Sequence, residues 1–294
     1  MLMLIRRVAI SFVFVGLIAA EGRAADKLTP LNKQGTVLTD LAGKRVILKS
    51  EVVLREGMLE MLACLQGTKE HESILAVPTL AQTVHAGLIA VGAEPGEPVR
   101  FTPEFQPPKG PKIDIFLTWQ DEDGKVHRDP AHTWVRQATR RYFIEKLAKL
   151  PAEVEFPKDK NLKYDEKHGE MLWYGSMTKE ERDQFLRLSK DKAFQKVIQA
   201  FFDQTQMREM KADFVFAGSG FFKEEETGKE YYQAEGGDLI CVANFASSVI
   251  DISVESSAAT DGLMYEAYTE RIPPIGTPVD IELIPVVEKG KAGK

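Results

Sequence analysis

Four residues with chemistry to offer lie close together in the chain, Cys64, His71, Glu72 and His85, and Cys241 follows far downstream. Thiolate, imidazole and carboxylate are the ligand types of zinc and copper sites. Their spacing matches no zinc signature. The competing reading of His85, at the edge of an apolar stripe, is a hydrogen-bonded structural histidine. The cysteines carry a second expectation. In an oxidising compartment Cys64 and Cys241 can close a long disulfide loop. The alternative is two buried thiols on separate strands.

Other constellations are thinner. Ser219 stands between two glycines, but Phe216-Ala-Gly-Ser-Gly-Phe221 is not the nucleophile elbow G-x-S-x-G, and a turn serine is expected. Asp121-Glu-Asp-Gly124 lacks the spacing of a calcium loop and reads as a hairpin turn, as does Glu224-Glu-Glu226. There is no phosphate-cradling glycine loop and no dinucleotide fingerprint. These residues form no catalytic constellation and leave the cofactor unknown, so the expectation leans away from an enzyme.

What must position these residues is a chain of 294 residues, 44% hydrophobic and 28% charged, which suits one large domain or a core domain with an insertion. A net charge of -6 argues against a nucleic-acid binder and against electrostatic attachment to a membrane surface. Arg6-Arg7, the apolar run from Val8 to Ala20 and the small residues up to Ala25 have the layout of a cleavable secretory signal, residues 1–24. The apolar run is short for a span, no later segment is long and apolar enough, and the general secretory route fits better than the twin-arginine one. The expected protein is exported, periplasmic or secreted, with no membrane span after cleavage.

Apolar or alternating runs at 46–54, 70–77, 112–119, 239–242, 249–254 and 279–284 predict strands. Thr79 is the expected cap of a helix carrying Leu80, Val84, Leu88 and Val91, closed by Gly92. Between 136 and 212 the apolar spacing becomes helical. Residues 137–150 fit one helix, Thr178-Lys-Glu-Glu181 is a capping box, and Phe194, Val197, Ile198, Phe201 and Phe202 form an amphipathic stripe. The phenylalanines are expected to pack internally, with a partner groove as the lesser alternative. The expected fold class is α+β: a mostly antiparallel sheet domain with one packed helix, residues 40–135 and 213–287, interrupted by a helical insertion at 136–212. Two consecutive domains are the alternative.

Several stretches resemble the YdjY-like domain family of exported bacterial proteins: Leu54-Arg-Glu-Gly-Met-Leu-Glu60, Cys64-Leu-Gln-Gly-Thr-Lys-Glu-His-Glu-Ser73, the run from Val84 to Gly96, Phe216-Ala-Gly-Ser-Gly-Phe-Phe222, Thr227-Gly-Lys-Glu-Tyr-Tyr232 and Gly237-Asp-Leu-Ile-Cys-Val-Ala-Asn-Phe245. The resemblance covers most of 45–135 and 213–285 and skips 136–212, in line with an insertion. It implies little mechanism. A ferredoxin-type association is sometimes attached to that name, but two cysteines cannot supply the four thiolates of an iron–sulfur cluster. Two functions follow as expectations: a non-catalytic exported binding or assembly module with an exported protein partner, or a metal-binding or redox protein using Cys64, His71, His85 and perhaps Cys241.

Overall fold

The computed structural model describes residues 28–156, 161–256 and 264–286, so the signal expected at 1–24 lies outside the described residues. In chain order the strands begin with β1 (Thr29–Pro30), β2 (Val37–Asp40), β3 (Arg45–Val52), β4 (Met61–Leu65) and β5 (Ser73–Val77). Helix α1 (Ala81–Ala90) follows, then β6 (Lys112–Gln120), β7 (Val126–Pro130) and β8 (Val135–Gln137). Next come β9 (Tyr142–Lys146), β10 (Leu162–Asp165), β11 (Glu170–Tyr174), α2 (Lys179–Leu186) and α3 (Lys192–Gln204). The chain ends with β12 (Phe214–Phe216), β13 (Phe221–Lys223), β14 (Glu230–Tyr232), β15 (Ile240–Cys241), β16 (Ile250–Ile252), β17 (Tyr265–Ala267) and β18 (Pro278–Pro285).

The main sheet closes on itself. Its hydrogen-bonded order β3–β18–β6–β12–β16–β15–β4–β5 returns to β3, which makes an eight-stranded barrel. This corrects the expected α+β sheet with one packed helix: strand outweighs helix, 35% against 18%. Closure depends on pairings between strands far apart in sequence, such as Val52 with Leu75 and Leu283 with both Val46 and Ile115. No local periodicity encodes such pairings. Val46, Leu48, Leu62, Ile74, Leu117, Phe214, Phe216 and Leu283 of the barrel strands are buried within one apolar cluster, which they share with α1.

α1 covers one side of the barrel with Ala81, Val84 and Leu88 inward. Thr79 does not cap it. The first two free amides, Ala81 N–H and Gln82 N–H, donate to the Glu235 carboxylate at 3.0 Å each. A carboxylate from a distant segment thus supplies both the acceptor and the negative charge that a helix start favours. Gly92, at φ +94, ends the helix as expected.

Residues 142–204 are not wholly helical, which is the second correction. β10–β11–β9 form a three-stranded antiparallel sheet, and α2 and α3 complete the unit. Where one helix was expected over 137–150, β9 occupies 142–146. Phe143, Leu147 and Leu150 lie at helical spacing, yet they reach the same core because a strand ends and the chain bends after Lys146. The capping box at Thr178 is present, with Glu181 N–H donating to Thr178 Oγ1 at 3.1 Å. Phe194, Val197, Ile198 and Phe201 are buried in this second core, and Phe202 packs at its margin.

Candidate functional site

Two pairs of neighbouring barrel strands are parallel, β4 with β5 and β15 with β16. Parallel neighbours need a connection that travels back along the strands, unlike a hairpin. The two return segments, residues 66–72 and 242–249, converge. Lys69 of the first lies over the Phe245 ring of the second, 4.6 Å from its centroid. Three carboxylates surround its ammonium: Asp238 Oδ1 at 2.9 Å, Glu60 Oε2 at 3.7 Å and Glu72 Oε1 at 3.8 Å.

The backbone brings these groups together. Glu72 O accepts from Glu60 N–H at 3.2 Å, and Glu60 O accepts from Val242 N–H at 2.8 Å, so Glu60 ties both segments to the start of β4. Gly237 places Asp238. Its φ is +117, and a Cβ there would lie 2.5 Å from Thr68 Oγ1 and 3.2 Å from Lys69 Cγ. Only glycine allows both that conformation and that approach.

Burial pushes the Glu60 carboxyl up to about 7, helped by its hydrogen bond to Glu72 and by the charges of Glu72 and Asp238, while Lys69 opposes. On the acid side of neutrality Glu60 is therefore largely protonated, and that proton serves its hydrogen bond to Glu72. Lys69 feels burial pulling it down, but Asp238, then Glu60 and Glu72, outweigh this and hold it charged. Asp238 also accepts from the Ser247 hydroxyl.

A second buried carboxyl lies on the other side of 242–249. Asp251 on β16 is 0% exposed. Its Oδ1 accepts from Asn244 Nδ2 at 3.0 Å and Ile252 N–H at 2.7 Å, whereas Oδ2 has no hydrogen-bond partner. Burial raises Asp251 to about 7, with Asn244 and the Ile252 amide pulling against it.

Of the residues singled out in the sequence, Glu72 belongs to this cluster. His71 does not: its side chain is 76% exposed, with Nε2 3.7 Å from Glu72. Cys64 is buried on β4, where burial raises its thiol. His85 lies on α1, its Nδ1 2.7 Å from the Tyr232 hydroxyl and its ring edge-on to Phe216. The four therefore do not converge, and among the described residues no three His, Cys, Asp or Glu side chains form a metal-holding group. The expected Cys64–Cys241 disulfide is corrected as well. Both cysteines are free, because Cys241 faces Met61 across β15–β4, three positions along the strand from Cys64. At a rise of about 3.4 Å per residue, that exceeds the reach of a disulfide.

Sequence reasoning missed Glu60, Lys69, Asp238 and Asp251. The available signal was charge in places that fold inward: Glu60 and Asp238 border fully apolar strands, and Asp251 interrupts a β-branched one.

A different surface lies beyond α1. The Tyr232 hydroxyl donates to Gly218 O at 2.9 Å, beside Ser219, which adopts a left-handed φ of +56. From there β13 and β14 project as a two-stranded hairpin, with Phe221 63%, Phe222 55% and Tyr231 42% exposed. A cleft of about 700 Å³ is lined by residues 92–96 and 110–112 with Asp213, and its Lys112 and Asp213 pair with each other at 2.9 Å.

Comparison with known proteins adds one match. A family model described as the YdjY domain matches residues 37–142 and 181–283. Those segments hold the barrel, the ionic cluster and the aromatic hairpin, and most of the β9–β11 sheet falls between them. No curated protein and no solved structure matches the chain.

Proposed function

The chain belongs to the YdjY domain family, and we propose that it works as an exported, non-catalytic binding module that presents an aromatic hairpin from a closed barrel. The carrying observation is the exposure of Phe221, Phe222 and Tyr231 on an element that buries none of them. An isolated two-stranded hairpin is marginal in water, and exposed aromatic residues such as the cross-strand pair Phe222 and Tyr231 mark interaction surfaces.

The surface also has a charge preference. Residues 221–232 carry Glu224, Glu225, Glu226 and Glu230 against Lys223 and Lys229. The matching partner is a protein with an apolar pocket bordered by basic side chains. Export rests on the basic, apolar and small-residue pattern of residues 1–24.

A photo-crosslinking residue in place of Phe222, in the full chain in its native cell, tests the binding reading. The expected result is a discrete adduct with one exported protein, lost when Tyr231→Asp is added. No adduct, or adducts indifferent to Tyr231→Asp, would overturn it. Sequencing the N-terminus of the same material tests export, with a start at or near Ala25 expected.

A further inference from the structure

We infer that the side chains of Lys69 and Asp238 condense into an amide, a covalent staple that the folded chain forms by itself. It would join the segment returning from β4 to β5 with the turn that leads into β15. This goes beyond the binding reading and concerns a different part of the molecule. The contact itself comes first. Lys69 Nζ lies 2.9 Å from Asp238 Oδ1, yet Oδ1 is buried and accepts no hydrogen bond. The two groups are thus in close approach without the alignment of an ordinary ion-pair hydrogen bond, and the carboxyl carbon is one bond further on. The other oxygen, Oδ2, takes the Ser247 hydroxyl, which anchors the carboxyl from behind. Phe245 covers the ammonium at 4.6 Å, and the Asp238 side chain is only 9% exposed. A nucleophile and a carbonyl carbon held together in this way have an effective concentration on the order of 10⁵ M or more when well oriented. Both cysteines are free, so no disulfide fastens these segments.

Proton transfer has its carriers in place. Glu60 Oε2 lies 3.7 Å from Nζ, and Glu72 Oε1 lies at 3.8 Å. Burial raises Glu60 to about 7, so both of its forms are present near neutrality. The starting state is the ion pair described above, with Lys69 charged. The ammonium first passes one proton to Glu60, with Glu72 beside it. The free amine then attacks Asp238 Cγ, and a C–N bond forms. The nitrogen's second proton and the one held by the glutamate move to Oδ1, the C–O bond breaks, and water leaves. Of the three ammonium protons, one stays in the amide and two depart with Oδ1. The positive and negative charges cancel, nothing is oxidised or reduced, and no co-reactant is needed. The product also removes a partly buried pair of charges whose desolvation is costly. Freshly folded chain carries the ion pair, and chain kept folded carries the amide.

The test is the intact mass of the full mature chain from its native cell, followed by tryptic peptide mapping. The expected mass is one water molecule below the sum of the residues present. The expected map holds a branched peptide in which Lys69 is joined to Asp238 and trypsin no longer cuts after Lys69. Lys69→Arg and Asp238→Ala should each restore the full mass. In chain isolated unfolded and then allowed to fold, Glu60→Gln should slow the loss of water at least about tenfold. A wild-type mass with no missing water overturns the staple, and that measurement needs no variant to fold. A missing water located anywhere but between Lys69 and Asp238, including a link to Glu60 or Glu72, overturns it equally. A Glu60→Gln rate equal to wild type overturns the proton-transfer step.

Discussion

Lys69 and Phe245 join the two return segments of the barrel: the ammonium sits 4.6 Å from the ring centroid and 2.9 Å from Asp238 Oδ1. An ammonium stacked on an aromatic face and paired with a mostly buried carboxylate is held by two attractions of different kind. Lys69→Met keeps much of the stem and removes both. It strands Asp238 and leaves three carboxylates without a counter-charge, so a loss of about 2–4 kcal/mol in denaturant unfolding at pH 7.5 is expected. The loss should shrink at pH 5, where Glu60 is protonated. A pH-independent loss would mean that packing alone accounts for it.

Asp251 sets a slope of stability with pH. Its carboxyl titrates near 7 in the folded protein and near 3.8 when unfolded. Between those values the folded state holds a proton that the unfolded state has lost, so the contribution is full below about pH 4 and fades as pH rises through 7. Asp251→Asn should flatten this slope and stabilise the protein at pH 8 by roughly 1–2 kcal/mol, its new amide hydrogens offsetting part of the gain. Thermal unfolding from pH 4.5 to 8.5 checks this, and an unchanged slope would contradict the assignment.

Gly237→Ala should be among the more damaging single-methyl additions. The new Cβ meets Thr68 Oγ1 at 2.5 Å in a left-handed backbone, while Gly35, at φ +67, has open space. About 3 kcal/mol is expected at Gly237 and about 1 kcal/mol at Gly35. Equal losses in a denaturant series would remove the case for close approach.

Glu235→Ala deprives α1 of its cap. Two amides lose their acceptor, and about 1–2 kcal/mol should go with them. Thr79→Ala should cost much less of the α1 end, because its side chain makes no cap hydrogen bond. Amide exchange at Ala81 and Gln82 separates the two.

Both cysteines are free and buried. Thiol titration of purified protein in denaturant, without reductant, should therefore count two thiols per chain. A count of zero would restore the bridge.

What the sequence disclosed was local. The capping box at Thr178, the turn at Gly92 and the stripe on α3 follow from neighbouring residues and were readable. Barrel closure was not, because β3 meets β5 and β18 only through the fold. The strand β9 was hidden by Phe143, Leu147 and Leu150, whose spacing satisfies a helix as well as a strand that bends. At the site, Glu72 was visible as one acid among many. Its meaning depends on Glu60 and Asp238, which topology alone brings to it.

The unit spanning 142–204 hangs from the barrel by a narrow neck. Gln137 N–H donates to Arg208 O at 2.8 Å, and Met210 N–H donates to Val135 O at 2.9 Å, so the outgoing and returning chain run side by side. A short turn could splice Gln137 to Arg208 without reopening any barrel seam. That makes the neck a natural exchange point, where a whole lobe can be swapped while the cylinder beneath keeps its shape.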